Sequence, residues 1–348
     1  MNLRKNYNLP LDKFIDLSLY DKKHGYYIKK YPFGEKGDFI TAPNISRLFS
    51  ETIAIWIVSF WQSLGSPKKF NLIELGAGNG EMMKVIIESF QNFPNFFKSC
   101  NLIIHEKSLS LIKTQKKNLY KKKITWISKI NEINDHPSIF IANEFFDAMP
   151  IKQFVKKKNL WFEKFVNLKD KKKLFFFEKK INIQKFEKKI QFNISKNQNF
   201  IEYSMEGFHY LKDISKIIKK NKGGLLLIDY GFSDWKMKNT LQAVSNHKFA
   251  NILDSIGTVD ITHNINFNLF KKFINKFSGL KSNLTNQKKF LISMGIKERA
   301  EIISKKHNFL KKADIYYRLK RLIDEKQMGN LFKVMLIKNK DNNFNLGF

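Results

Sequence analysis

Cysteine, acidic residues and long apolar runs are all scarce in this chain. Its 348 residues include a single cysteine, Cys100, which excludes an internal disulfide and any cysteine-rich zinc site. The seven histidines are scattered, with no pair at metal-ligand spacing, so no metal is expected. Prolines number seven and no Pro/Gly/Ser-rich linker divides the chain, which reads as one domain carrying insertions. The most apolar segment, Ile53 to Trp61 (IAIWIVSFW), is nine residues long. That is well short of the roughly 20 needed to span a bilayer, and it reads as a buried helix; no transmembrane segment is expected. The N-terminus (MNLRKNYNLPLDKF) has no apolar stretch behind its basic start, so no secretory signal is visible and a soluble, reducing compartment is expected.

Against 31 Asp and Glu stand 63 Lys and Arg, a formal net charge of +32. Such an excess suits nucleic acid or anionic lipid as partner. Lysine is favoured everywhere, however, and runs such as Lys121-Lys122-Lys123, Lys156-Lys157-Lys158 and Lys171-Lys172-Lys173 fall where turns between strands are expected. Basic runs alone are weak signals, so no dedicated nucleic-acid site is expected. With 43% hydrophobic residues the chain has ample material for a core, and wholesale disorder is excluded.

Short apolar runs alternate with helical patterns, the signature of an α/β fold with a mostly parallel sheet. Phe70–Leu75 (FNLIEL) reads as a strand stopped by glycines, and Glu81–Phe90 as a helix. Leu102–His105, Ile124–Ile127 and Ser138–Ala142 read as strands, with an amphipathic helix at Ser108–Leu119. Leu211–Lys220 looks helical, and Leu225–Tyr230 (LLLIDY) is an uninterrupted buried strand. Two regions break the rhythm. Ile151–Phe192 alternates aromatic or aliphatic residues with Lys, which suggests inserted antiparallel hairpins. Trp235 to about Gln327 reads as mainly helical, with Ile265–Phe277 and Ile296–Leu322 the best helical stretches, before Phe332–Ile337 closes the sheet.

Glu74-Leu75-Gly76-Ala77-Gly78-Asn79-Gly80 ends a strand and opens a helix. Alternate glycines let the backbone turn sharply and let a ligand approach it, and the helix start offers free N–H groups. Gly-Lys-Ser/Thr is missing, so this is not a phosphate-cradling loop, and the glycine spacing departs from G-x-G-x-x-G. E-x-G-x-G-x-G instead resembles the first motif of S-adenosylmethionine-dependent methyltransferases. The companion feature of that motif is an acid at the end of the next strand, able to accept from both ribose hydroxyls. Glu106 stands there, 26 residues past Gly80.

Further stretches fall in a recurring order: Tyr20-Asp21 through His24-Gly25-Tyr26-Tyr27; Phe33-Gly34, Gly37-Asp38-Phe39 and Thr41-Ala42-Pro43; and Asn143-Glu144-Phe145-Phe146-Asp147-Ala148-Met149-Pro150. Leu227-Ile228-Asp229-Tyr230-Gly231, Thr240-Leu241-Gln242-Ala243, Asp260-Ile261-Thr262, Thr285-Asn286-Gln287 and Met328 through Val334 continue it. Together they resemble the MidA-like methyltransferases, a family that includes the mitochondrial arginine methyltransferase assisting assembly of respiratory complex I. The resemblance runs from about residue 9 to 337. Ala77 and Asn79 stand where relatives often carry Pro and Arg.

The resemblance implies a Rossmann-like class I S-adenosylmethionine-dependent methyltransferase fold, with inserted β-hairpins and a helical insertion, in one catalytic domain over 1–348. Residues 1–66 would form a helical cap over the cofactor, 67–150 and 199–234 its binding core, and 151–198 the hairpins. Residues 235–330 would form a substrate-side insertion and 331–338 the closing strand. It implies S-adenosyl-L-methionine as cofactor, held by Glu74, Gly76, Gly78, Gly80 and Glu106, with Asp38, Thr41 and Pro43 folding over it. Pro43 also suits a helix start.

Asn143, Glu144 and Asp147 are the catalytic candidates, because they follow a strand whose carboxyl end should face the ligand crevice. An arginine acceptor is charged and poorly nucleophilic, so carboxylates would hold its fork and take a proton. Glu144 and Asp147, three apart, would meet on one side of a helical turn. Asp229 reads equally as a further acceptor charge or as a partner for loop N–H groups. Asp260 or Thr262 reads as a helix N-cap, and His263 as a structural histidine or a base. The implied partner is an arginine-bearing protein, such as a complex I subunit, and the implied compartment a bacterial cytoplasm or the mitochondrial matrix. Two other readings stand beside this one: a non-catalytic assembly chaperone on the same fold, and a nucleic-acid methyltransferase.

Overall fold

The computed structural model describes residues 8–21, 23–29, 41–169, 174–245, 248–253 and 256–348. The Gly37-Asp38-Phe39 segment and the Lys171–Lys173 run lie outside them. Seven strands, labelled here in chain order, form the central sheet: β1 (Phe70–Leu75), β2 (Cys100–His105), β3 (Thr125–Ile127), β4 (Ser138–Asn143), β5 (Gly223–Phe232), β6 (Leu280–Asn286) and β7 (Phe332–Asn339). Their spatial order is β3-β2-β1-β4-β5-β7-β6, with the short strand Ile265–Asn266 also paired to β5. The first five run parallel, whereas β7 is antiparallel to both β5 and β6.

The apolar runs read as strands because both faces of the sheet are covered. Successive side chains point to opposite faces, so Ile139 and Ile141 of β4 join one core while Phe140 and Ala142 join the other. Leu226 and Ile228 of β5 divide from Leu225 and Leu227 in the same way. The first core is roofed by the helix Arg47–Ser63, which contains the apolar run Ile53–Trp61. Its Trp56 and Phe60 are fully buried, each such side chain stabilising the fold by roughly 1.5–3 kcal/mol.

A second, antiparallel sheet holds Lys152–Lys157, Leu160–Asn167, Phe175–Ile181 and Phe200–Tyr203. The Lys156-Lys157-Lys158 run therefore sits partly in a strand, with only Lys158 in the turn. The strand Asn8–Pro10 adds to this sheet, opposite Asn167, Val166 and Phe165. Lys152 reinforces the join by bridging Asp12 (2.9 Å) and Glu163 (2.6 Å). The hairpin stretch ends in a helix, Ile183–Ile190, whose apolar residues recur at helical spacing.

Residues 235–330 are less helical than expected. Gln242–Ser245, Lys248–Ala250 and Asp260–Thr262 form a small antiparallel sheet. Leu280–Asn286, expected to be part of a helical insertion, is strand β6 of the central sheet. As an edge strand it buries only Leu280 and Thr285, so its sequence (LKSNLTN) shows no apolar run.

Candidate active site

A cavity of about 1080 Å³ opens at the carboxyl ends of β1, β2 and β4, where ligands bind in open α/β sheets. One end is built from a continuous stretch of chain. The turn after β1 takes left-handed backbone at Gly76 (φ 64°), Gly78 (φ 53°) and Gly80 (φ 82°), conformations that favour glycine. Gly76 also lies under the ring of Phe145, where a Cβ would come within 2.8 Å. Glu74, Gly76 and Gly78 line the cavity, as does Glu106. Gly80 does not line it: it starts the helix Glu81–Phe90, and its α-carbon faces Leu119. Its φ serves the helix entry.

Glu106 Oε1 accepts from the backbone N–H groups of Lys107 and Ser108, both at 2.9 Å, and Oε2 accepts from Gln115 Nε2 at 3.1 Å. Gln115 also donates to the Gly78 carbonyl (3.0 Å) and accepts from Trp126 Nε1 (3.0 Å). It thus ties the glycine turn to the acid. Gln115 was missed in the sequence, although a buried glutamine four residues beyond Leu111 on an amphipathic helix is the signal that could have found it. Glu74 is buried with Oε2 unpartnered, and burial, with Glu106 nearby, pushes its carboxyl up to about 8. His105 pairs with the Tyr210 hydroxyl at 2.8 Å, and burial and Lys107 lower it to about 4, so it is neutral.

The other end draws on separated segments. Asn143 ends β4 and Glu144 follows it, itself taking left-handed backbone (φ 49°). Residues 144–150 make turns and no helix. Glu144 and Asp147 reach one cavity because the chain reverses there, not by helical spacing. Glu144 Oε1 accepts from Ala42 N (3.4 Å) and Asn143 Nδ2 (3.3 Å), and burial raises its carboxyl to about 7. Asp147 Oδ1 and Asn143 Oδ1 are buried without partners. Asp147 lies well above the carboxylate range, through burial and then repulsion from Asp229 and Glu144. Thr41 and Pro43 line the cavity from the front, Pro43 in the first turn of the helix Ala42–Ile45.

Asp229 is fully buried and accepts from the backbone N–H groups of Phe146 (3.0 Å), Asp147 (3.3 Å) and Tyr230 (2.9 Å). Of its two readings, the loop-holding one is observed. Asp260 is no N-cap: it lies in a strand, and Asn266 caps the following helix. It lines the cavity instead, accepting from the Tyr27 hydroxyl at 3.0 Å. Tyr27 stacks on Tyr20, whose hydroxyl donates to the Ala148 carbonyl at 3.1 Å. Burial and the surrounding carboxylates hold both phenols well above their ordinary range. His263 belongs to a separate small cavity, its backbone N–H donating to the Asp147 carbonyl at 3.1 Å. Among the described residues no cluster of His, Cys, Asp and Glu could hold a metal ion.

The β3-β2-β1-β4-β5-β7-β6 sheet, with a glycine turn after β1 and an acid after β2, is the class I S-adenosylmethionine-dependent methyltransferase fold. A family model for S-adenosyl-L-methionine-dependent methyltransferases matches residues 52–285, and the chain belongs to that family. It is 28% identical over 336 residues to the mitochondrial protein arginine methyltransferase NDUFAF7 of Xenopus laevis, covering 89% of this chain and 76% of that one. With the Homo sapiens protein of the same name it is 28% identical over 313 residues, covering 82% and 69%. A crystal structure from Burkholderia thailandensis, bound to S-adenosyl-homocysteine, superposes with a TM-score of 0.80 at 20% identity, covering 98% of this chain and 90% of that one. The chain is thus a methyltransferase that uses S-adenosylmethionine. Its cavity fits that cofactor: it is roomy, it keeps a Cβ-free wall at Gly76, and a buried carboxylate oxygen of Glu74 awaits a donor.

Proposed function

We propose that this chain is a protein-arginine N-methyltransferase, acting on a complex I subunit or its bacterial counterpart. The charge of the cavity carries the acceptor class. In a chain of net charge +32, the cavity gathers Asp16, Glu74, Glu106, Glu144, Asp147, Glu206 and Asp260 against Lys107 and Lys113. Burial keeps several of these acids protonated while the cavity is free of ligand; a cationic side chain draws them to the ionised form, whereas a polyphosphate meets far more acids than cations, which disfavours nucleic acid as acceptor. The relatives named arginine methyltransferases support the same class, and the family resemblance supports the complex I subunit.

In this reading Glu106 holds the ribose hydroxyls of the cofactor and Glu74 faces its cationic end. Gly76 and Gly78 leave room for it, and Thr41 and Pro43 close over it. When bound, S-adenosylmethionine supplies an activated methyl group on a positively charged sulfur. Glu144 and Asp147 grip the guanidinium fork, localise its charge and receive the released proton. Their raised pKa values reflect burial without a counter-ion; an entering guanidinium draws both back toward the ionised form. Asn143 orients the acceptor through its unpartnered Oδ1. Asp260 adds a third carboxylate, steadied by Tyr27.

The test is labelled S-adenosylmethionine incubated with purified chain and cell extract, followed by hydrolysis of the labelled product. Label recovered as methylarginine from protein supports the reading. Nuclease-sensitive label, or bound cofactor with no labelled protein, overturns it in favour of a nucleic-acid enzyme or a chaperone.

A further inference from the structure

We infer that the outer face of the helix Phe309–Ile323, with the turn leading into it, docks onto an anionic lipid surface. Only Leu319 and Leu322 of this helix are fully buried. Phe309, Leu310, Ala313, Tyr316 and Tyr317 recur at the three- and four-residue spacing that puts side chains on one helix face, and all of them are exposed. Phe309 is 80% exposed, Leu310 77% and Tyr317 65%. An amphipathic helix ordinarily turns such a stripe inward; this one turns it to solvent. Isolated exposed apolar residues need no explanation, but a contiguous stripe of them does.

The charges around the stripe select the occupant. Lys305 and Lys306 precede Phe309-Leu310, and Lys311 and Lys312 follow directly. The two acids of the region are engaged locally, Glu301 with Lys305 at 3.1 Å and Asp314 with Arg318 at 2.7 Å. The rim is therefore basic on both sides of protruding Phe and Leu side chains. Aromatic and aliphatic residues on one face with lysines flanking them are the composition of helices that lie in a bilayer interface. Lysine stems can lie along the apolar layer while their ammonium groups meet lipid phosphates, and tyrosine is favoured at headgroup depth. No helix among the described residues is long and apolar enough to cross a membrane, so the contact is one of lying on the surface. The helix is tied to the wall of the cavity. Arg318 Nη1 donates to the Ile45 carbonyl at 2.8 Å, at the end of the short helix whose Pro43 and Asn44 line the cavity.

Co-sedimentation of the full chain with vesicles tests this. Vesicles of phosphatidylcholine mixed with phosphatidylglycerol should carry the chain down at moderate salt, and vesicles of phosphatidylcholine alone should carry little. The double variant Phe309→Ser, Leu310→Ser should partition about tenfold less onto the mixed vesicles, with its melting temperature unchanged because both side chains are exposed. Tyr317→Ser, further along the stripe, should weaken partitioning independently. Three results would overturn the inference. The chain could ignore the mixed vesicles. The double variant could bind them undiminished, which would leave only generic attraction of lysine to anions. The wild-type chain could instead self-associate, or bind an acidic protein, through a contact that the double variant abolishes.

Discussion

The two ends of the cavity are assembled in opposite ways. The cofactor end comes from one strand-turn-helix and the tip of the neighbouring strand, and Glu106 there already accepts three hydrogen bonds. The acceptor end collects Tyr20, Tyr27, Glu144, Asp147 and Asp260 from distant parts of the chain and leaves buried oxygens of Asn143 and Asp147 unpaired. The end built from contiguous residues has Glu106 fixed before any ligand arrives and keeps one buried oxygen, on Glu74, unpaired. An end built from remote residues carries an unmet need for positive charge, and that need is what would select the acceptor.

The largest break expected is Gly76→Val. A side chain there meets the Phe145 ring and a left-handed backbone, which costs roughly 1–3 kcal/mol in strain alone. Calorimetry should find cofactor affinity reduced by about a hundredfold or more, with the acceptor carboxylates untouched. Unchanged affinity would refute the assignment of this end. Asp147→Asn and Glu144→Gln probe the other end: methyl transfer should fall about a hundredfold or more while cofactor affinity stays within a few-fold. If both quantities fall together, the ends are not separable. Asp260→Asn should cost about tenfold in the same assay, mostly in acceptor affinity.

Two smaller effects are read through pH. If Glu144 takes the proton it must first be ionised, so kcat/KM should rise with pH through about 7 and lose that rise in Glu144→Gln. Glu74 titrates near 8 in the folded chain against an ordinary 4.5. Between those values the folded state binds more protons than the unfolded one, so the ligand-free chain loses stability as pH rises across this window. Glu74→Gln should therefore melt above the wild type near pH 8, with the gap closing toward about pH 5. A gap independent of pH would show that Glu74 is ionised in the folded chain.

The same contrast explains what could be read from the sequence. Gly76, Gly78 and Glu106 were legible because a turn that needs positive φ and an acid closing the next strand leave a local pattern. The parallel core was legible because strands buried on both faces become apolar runs. Strand β6 was not, since an edge strand with a half-exposed face has no such run. Asp260 reads as a cap because its strand is three residues long and, among the described residues, pairs with Gln242–Val244 alone. Tyr20 and Tyr27 stand in the family pattern, yet no local rule places the Tyr27 phenol against a carboxylate 233 residues onward, with Tyr20 stacked on it. Gly80 shares the local pattern of the glycine turn because its positive φ starts the helix that follows the turn.

The strand Asn8–Pro10 and the Lys152 bridge have a mechanical meaning. They fasten the start of the chain to the smaller sheet, and that start carries Tyr20 and leads to Tyr27. Tyr20 and Tyr27 are therefore hung from the inserted hairpins, while the proposed nucleoside site rests on the central sheet. A shear between the two sheets would widen or narrow the throat for the acceptor and leave the grip on the methyl donor as it was.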